Sequence, residues 1–331
     1  MVERLSGCER AIFGDTSAEA IADLLDRYLT RALGSPLAEI KFRAGRIDSV
    51  WAVRTGDERE LIVKAHRPPV DLTARHATST AQRLLADAGF PCPRPASGAD
   101  QFEGLVLSAE TLLPAGRPRS GRHPGVRRSI AAGLAEHVEI LRGHPELVPQ
   151  VGAGPAWCQY QAGPWPTPHD SIFDFRTTPD GYSWLDGFAR AAADRLISPA
   201  RRDPVVIGHA DWYGGNLRFD GDDLVAAFDW DLVADTEPVI AGLSAAGYTD
   251  SGSDAPDLPS PDDVVAFLTD YEAATSRSFS SAGQRTAMAA ASWVIAYNAR
   301  CDLSMLAGEP RPGSPLDLAR RHRDRYLDLT W

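Results

Sequence analysis

The hydrophobic periodicity of this chain changes once, near Leu112, and that change restricts its architecture more than any other feature. Before it, Ala38 to Ala44, Ser49 to Arg54 and Glu60 to Ala65 read as short strands, with Gly45 and the segment Thr55 to Glu58 as turns. The pattern predicts an antiparallel meander. A helix precedes it: Thr16 and Glu19 have capping-box spacing, Ile21, Leu24, Leu25, Tyr28 and Ala32 share one apolar face, and Gly34 with Pro36 ends it. A second helix is predicted over Ala74 to Ala88, then an extended link through Phe90 to Pro95 and another strand over Phe102 to Ala109. Beyond the Pro-, Gly- and Arg-rich segment after Leu112, helical periods dominate, at Ser129 to Arg142, Trp184 to Leu196, Pro261 to Thr275, Ala282 to Leu306 and Pro315 to Tyr326. Only two short apolar runs interrupt them, Val205 to Gly208 and Leu224 to Phe228. Strands followed by helices predict an α+β fold.

At 331 residues the chain exceeds the usual single domain, which favours two lobes with a cleft between them. The longest nearly pure apolar stretch, Ala287 to Tyr297, falls well short of the ~20 residues of a membrane helix. The first fifteen residues carry both charge signs and no apolar segment, so no signal or transit peptide is expected and the cytoplasm is the expected compartment. Cys8, Cys92, Cys158 and Cys301 are too widely spaced for a local metal knuckle and are expected as reduced thiols. The net charge of -11 argues against nucleic acid as a partner. Residues 1–116 hold 14 basic and 16 acidic side chains, which leaves 20 of the 34 basic and 29 of the 45 acidic ones to residues 117–331. The second part is the acidic one, and Thr249 to Asp263 reads as a solvated acidic loop.

The densest polar cluster beside apolar runs lies between Val205 and Asp231. Asp211 and Asn216 follow the first run, and Asp229 ends the second. Two neighbouring strands would bring all three to one mouth. Asp and Asn oxygens are hard donors suited to Mg2+, and a further carboxylate can take a proton from an attacking hydroxyl. Phosphoryl transfer needs this set, together with a cation on the nucleotide phosphates. Lysine is rare here: only Lys41 and Lys64 occur, and Lys64 ends the third predicted strand.

On these residues the chain resembles the aminoglycoside phosphotransferase and choline kinase-like family, relatives of the protein kinases. Residues 208–216, GHADWYGGN, look like the family's catalytic loop, and residues 226–231, AAFDWD, like its metal-binding segment. The IVK of residues 62–64 looks like the nucleotide lysine strand, and residues 106–116 look like the hinge that holds the base. The resemblance implies a two-lobed kinase-like fold with a nucleotide lobe over residues 1–108, a hinge over 109–116 and a helical acceptor lobe over 117–331. It implies Asp211 as catalytic base with His209 bracing its loop, Asn216 and Asp229 as Mg2+ ligands, and Lys64 on the phosphates. Gly45 and Ser49 would lie in the phosphate-covering turn, and Ala109, Glu110 and Leu112 in the base-holding hinge. Trp212, Tyr213 and Asp231 are candidates for contact with the acceptor, Trp212 being expected at the rim of the site.

The chain departs from the family's pattern in having Ala210 where glycine is usual. The helix that should supply a glutamate to the lysine has none, since residues 72–102 contain no Glu. Gln82 is the nearest substitute, and Lys64 is expected to be poorly paired without nucleotide. The activity implied is transfer of the γ-phosphoryl group of ATP or GTP, with Mg2+, to a hydroxyl of a small and possibly cationic acceptor such as an aminoglycoside or another antibiotic. A metabolic kinase of a sugar, amino sugar or amino alcohol is the alternative within that class. A catalytically silent nucleotide-binding protein is the alternative outside it, and the missing glutamate would permit it. The expected partners are therefore small molecules, with neither nucleic acid nor membrane among them.

Overall fold

The computed structural model describes residues 5–113, 116–161, 163, 165–197, 203–252 and 256–331. The chain divides into two compact units, Met1–Pro114 and Ala115–Trp331.

In the first unit, α1 (Gly7–Phe13) is a helix the sequence pattern did not suggest, closed by a capping box between Ser6 and Glu9. The next helix, α2 (Ala18–Leu33), is capped by Ser17, whose hydroxyl accepts the Ala20 amide at 3.2 Å. Its cap lies one residue later than expected, so Thr16 and Glu19 form no box. The strands β1 (Leu37–Ala44), β2 (Ser49–Thr55) and β3 (Glu60–His66) form the antiparallel meander. After α3 (Leu72–Asp87), β4 (Pro95–Phe102) and β5 (Leu105–Thr111) complete a five-stranded sheet in the order β1-β2-β3-β5-β4. The single strand expected over 102–109 is thus a hairpin, turning at Glu103 and Gly104, both with positive φ. One face of the sheet buries Trp51, Val53, Leu61, Val63 and Leu107 against Ile21, Leu25, Tyr28 and Leu29 of α2. Each such aliphatic contributes about 1.5–3 kcal/mol on burial. Alternation puts Ile62 and Lys64 on the opposite face, beside their partners Glu110 and Ser108 on β5.

The second unit begins with α4 (Pro124–Arg142), which starts five residues before the expected position because Pro124 suits a first turn. The short α5 (Val148–Val151) and the longer α6 (Ser183–Ile197) follow. Then come two antiparallel pairs nested in sequence: β6 (Val205–His209), β7 (Leu217–Asp220), β8 (Asp223–Ala227) and β9 (Leu232–Thr236), with β6 on β9 and, between them in the chain, β7 on β8. The rest is helical: α7 (Glu237–Ala245), α8 (Pro261–Thr275), α9 (Ser281–Ser304) and α10 (Pro315–Asp328). Met288 to Val294 and on to Tyr297 are buried on every side of α9, which makes it the central helix of this unit.

The expected acidic loop differs from its reading. Residues 253–255 lie outside the described ones, but Thr249 and Leu258 are buried, and Arg122 holds Asp257 at 2.6 Å and Asp263 at 3.2 Å. Asp263 belongs to the capping box of α8, so its charge serves a helix start. All four cysteines are free and buried. No helix among the described residues is long and apolar enough to cross a membrane.

Candidate active site

In the second unit, β6 delivers His209 to a tight loop stitched to the segment after β8. The Ala210 amide donates to the Asp231 carbonyl at 2.7 Å, and the Phe228 amide to the Asn216 carbonyl at 2.9 Å. His209 sits beneath, 1% exposed. Its Nδ1 accepts the Asp211 amide at 3.2 Å, so Nε2 carries the proton and donates to the Phe228 carbonyl, also at 3.2 Å. A neutral histidine thereby links the backbone of Asp211 to the residue before Asp229. At 1% exposure His209 braces the loop backbone and offers almost no surface to a ligand.

The polar side chains meet above that histidine. Asn216 donates its amide nitrogen to the Asp211 carbonyl at 3.0 Å and to Asp211 Oδ2 at 2.9 Å, which leaves its own Oδ1 outside both bonds. Asp229 adopts φ 58°, a left-handed conformation that costs a non-glycine residue on the order of 1–2 kcal/mol. Burial, then the charges of Asp229, Asp231 and Asp250, push the Asp211 carboxyl up to about 7 despite the bond from Asn216. These four carboxylates and the Asn216 amide oxygen are hard donors, and a divalent cation would relieve the repulsion among the charges. Among the described residues no three His, Cys, Asp or Glu side chains form a metal centre by themselves. Such a set suits Mg2+, which usually takes one or two carboxylates and completes its shell with water and phosphate oxygens.

Trp212 does not lie at a rim. It is 1% exposed, donates its indole N–H to the Ile130 carbonyl at 2.9 Å, and packs over Gly133 of α4, where an added Cβ would approach its ring to 3.1 Å. With His137, His209 and Trp230 it forms a buried aromatic floor, His137 lying 5.6 Å from Trp230 in a stacked arrangement. The apolar residues preceding and following the loop draw the indole inward. Tyr213 points differently: its ring overlies Gly215, and burial followed by the charges of Asp211, Asp250 and Asp229 pushes its hydroxyl up to about 12. Asp250 is the member of this cluster that sequence reasoning missed, because it was absorbed into the acidic loop. Trp230 and His137 were missed as well, and only the aromatic next to Asp229 could have signalled them.

In the first unit, Gly45 has φ 112°, and an added Cβ would lie 2.0 Å from the Asp48 carbonyl oxygen, so the turn after β1 demands glycine. Asp48 anchors this turn: Oδ2 meets His66 Nδ1 at 2.7 Å and Oδ1 accepts the Arg67 amide at 2.9 Å. Burial raises the Asp48 carboxyl, but His66 and Arg75 outweigh it and hold it below its ordinary range. Ser49 is fully buried and its hydroxyl accepts the Trp51 indole N–H at 2.8 Å, so it serves the core and not a phosphate. Two backbone amides expected to hold the base are engaged within the sheet. The amides of Ala109 and Leu112 donate to Ser97 Oγ and to the Glu60 carbonyl, both at 2.9 Å.

Glu110 has a different place from the one expected. Its Oε1 lies 2.9 Å from Lys64 Nζ, and its Oε2 accepts Gln82 Nε2 at 2.9 Å. Lys64 is therefore already paired, contrary to the expectation drawn from the glutamate-free helix. Gln82 reaches the carboxylate and not the lysine.

A sheet-based unit in which a half-buried Lys64 meets Glu110, followed by a helical unit with an Asp-Asn loop braced against a second acidic segment, is the arrangement of a kinase-like phosphotransferase. The model of the phosphotransferase enzyme family, APH, matches residues 39–254, and the chain belongs to that family. Solved structures share its fold. An amicoumacin kinase, hAmiN, in complex with AMP-PNP, Ca2+ and Ami is 12% identical with a TM-score of 0.62, over 87% of this chain and 88% of that one. The macrolide 2'-phosphotransferase MphH from Brachybacterium faecium is 14% identical with a TM-score of 0.54, over 88% and 100%. A thermostable mutant of the aminoglycoside phosphotransferase APH(4)-Ia is 12% identical with a TM-score of 0.53, over 91% and 96%. No curated protein matches the chain.

Proposed function

We propose that this phosphotransferase moves the γ-phosphoryl group of ATP or GTP to a hydroxyl of a small cationic acceptor, with aminoglycosides and other amino-bearing antibiotics as the class to offer first. The observation that carries this reading is the crowding of Asp211 by Asp229, Asp231 and Asp250 on a loop fixed by Asn216 and His209. Asp211 receives the proton of the acceptor hydroxyl as that oxygen bonds to the γ-phosphorus, and the bond to the nucleoside diphosphate oxygen breaks. A carboxyl poised near neutrality suits such a base. Asn216 and Asp229 would hold Mg2+, and the ion would supply positive charge to offset that of the phosphates. Lys64 meets the nucleotide phosphates, and Tyr213 and Asp231 face the acceptor. The same carboxylates that repel one another attract an ammonium, which supports an amino-bearing acceptor over a neutral sugar. The complex of the amicoumacin kinase with AMP-PNP and Ca2+ supports a nucleotide with a divalent cation. The silent-protein reading loses its motive, since Glu110 supplies the carboxylate the helix lacks.

Titration of Mg2+-nucleotide into three proteins tests the metal assignment. Asp229→Ala should lose Mg2+-dependent binding at least ~10-fold, as expected for loss of a hard ligand, whereas Asp231→Ala should stay near the parent. The reverse order would show that the wrong carboxylate carries the metal.

A further inference from the structure

We propose that Glu110 is a positioning residue for Lys64, so that the acidic partner of the nucleotide lysine comes from the sheet and not from the helix. The inference rests on the reading of Lys64 as a phosphate-binding group.

The geometry is a relay of three side chains. Gln82 of α3, buried at 4% exposure, gives an N–H to Glu110 Oε2, and Glu110 Oε1 takes Lys64 Nζ, each at 2.9 Å. The register explains the pair. Ile62 faces Glu110 and Lys64 faces Ser108 across β3 and β5, so Lys64 and Glu110 are diagonal neighbours on one face, within reach of long side chains. A helix with no glutamate thus contributes a neutral amide, and the charge comes from a strand hydrogen-bonded to the lysine's own.

A buried ion pair is weak support for stability, because desolvating both charges offsets most of their attraction. Its value here is direction. An ammonium on a four-carbon stem has many rotamers, and the bond to Glu110 selects among them, fixing the direction in which Nζ is presented. Gln82 occupies the second carboxylate oxygen and so removes Glu110's alternative pose. Because β3 and β5 are bonded neighbours, sheet register brings the two side chains together, and Gln82 of α3 then fixes the carboxylate's pose.

The chain's two lysines make the test direct. Protein carrying 15N-lysine gives two side-chain signals, and Lys41→Arg identifies which is Lys64. Glu110→Gln should move the Lys64 signal and leave that of Lys41 in place. Mg2+-ATP hydrolysis should fall roughly 10- to 100-fold, the size of effect that misplacing a catalytic group produces. Nucleotide affinity should change by less than about 3-fold, since removing an anion near the phosphates offsets the lost orientation. In a Lys64→Met background, Glu110→Gln should alter hydrolysis by less than about 2-fold, because its effect runs through the lysine. Glu110→Asp should recover part of the loss. Equal losses in both backgrounds, or an unmoved Lys64 signal, would overturn the proposal while leaving Lys64 on the phosphates. A parent Lys64 signal that ignores saturating Mg2+-ATP would remove the phosphate reading itself, and with it the positioning role.

Discussion

Asp211, the proposed base, is held where its charged form is disfavoured. Its carboxyl is pushed from an ordinary 3.8 up to about 7, chiefly by burial and then by its acidic neighbours. A carboxyl raised in the folded state binds a proton that the unfolded chain has released, so its stabilising contribution is present in acid and is lost as pH rises through that window. Asp211→Asn should therefore stabilise the metal-free protein at pH 8 by on the order of 2–4 kcal/mol relative to the parent, and the gain should vanish near pH 4. Urea denaturation of both proteins at the two pH values measures it, and a difference independent of pH would contradict the assignment. The Asp-Asn spacing and the sparse lysines were legible in the sequence because chemistry restricts those residue types. Glu110 was not, since its role depends on a diagonal contact between strands separated by 46 positions in sequence. Position along the chain suggested a hinge, and register supplied an ion pair.

Elements with strong periods stood out in the sequence, and those defined by a single local contact did not. The meander β1 to β3 and the buried helix α9 follow from alternation and from an almost unbroken apolar face. The hairpin between β4 and β5 was hidden because its turn uses Glu103 at φ 48°, where Asn or Asp is the usual signal before glycine. The loop after β6 shows the same limit. Trp212 was expected to face a ligand, yet its indole joins α4 to the loop through the Ile130 carbonyl. Trp212→Ala should cost about 3–5 kcal/mol of stability, the range for deleting a buried tryptophan, and should not change which acceptor is chosen. Thermal unfolding beside a comparison of acceptors checks this. A variant of parental stability with altered acceptor choice would return Trp212 to the binding surface.

At the scale of the whole molecule, the chain divides into two compact units, residues 1–114 and 115–331. Family membership joins them to one reaction class, and the acidic excess of the second part agrees with the carboxylates gathered around Asp211. The central claim is phosphoryl transfer with Asp211 as base. It is tested most directly by incubating the protein with γ-labelled ATP or GTP, Mg2+ and a panel of aminoglycosides, other antibiotics, amino sugars and amino alcohols, then measuring labelled product for the parent and Asp211→Asn. The account predicts a labelled, amino-bearing product whose rate of formation falls roughly 10^2- to 10^4-fold in the variant, the usual contribution of a positioned base. Equal rates for the two proteins, or tight Mg2+-nucleotide binding with no transfer to any member of the panel, would contradict it.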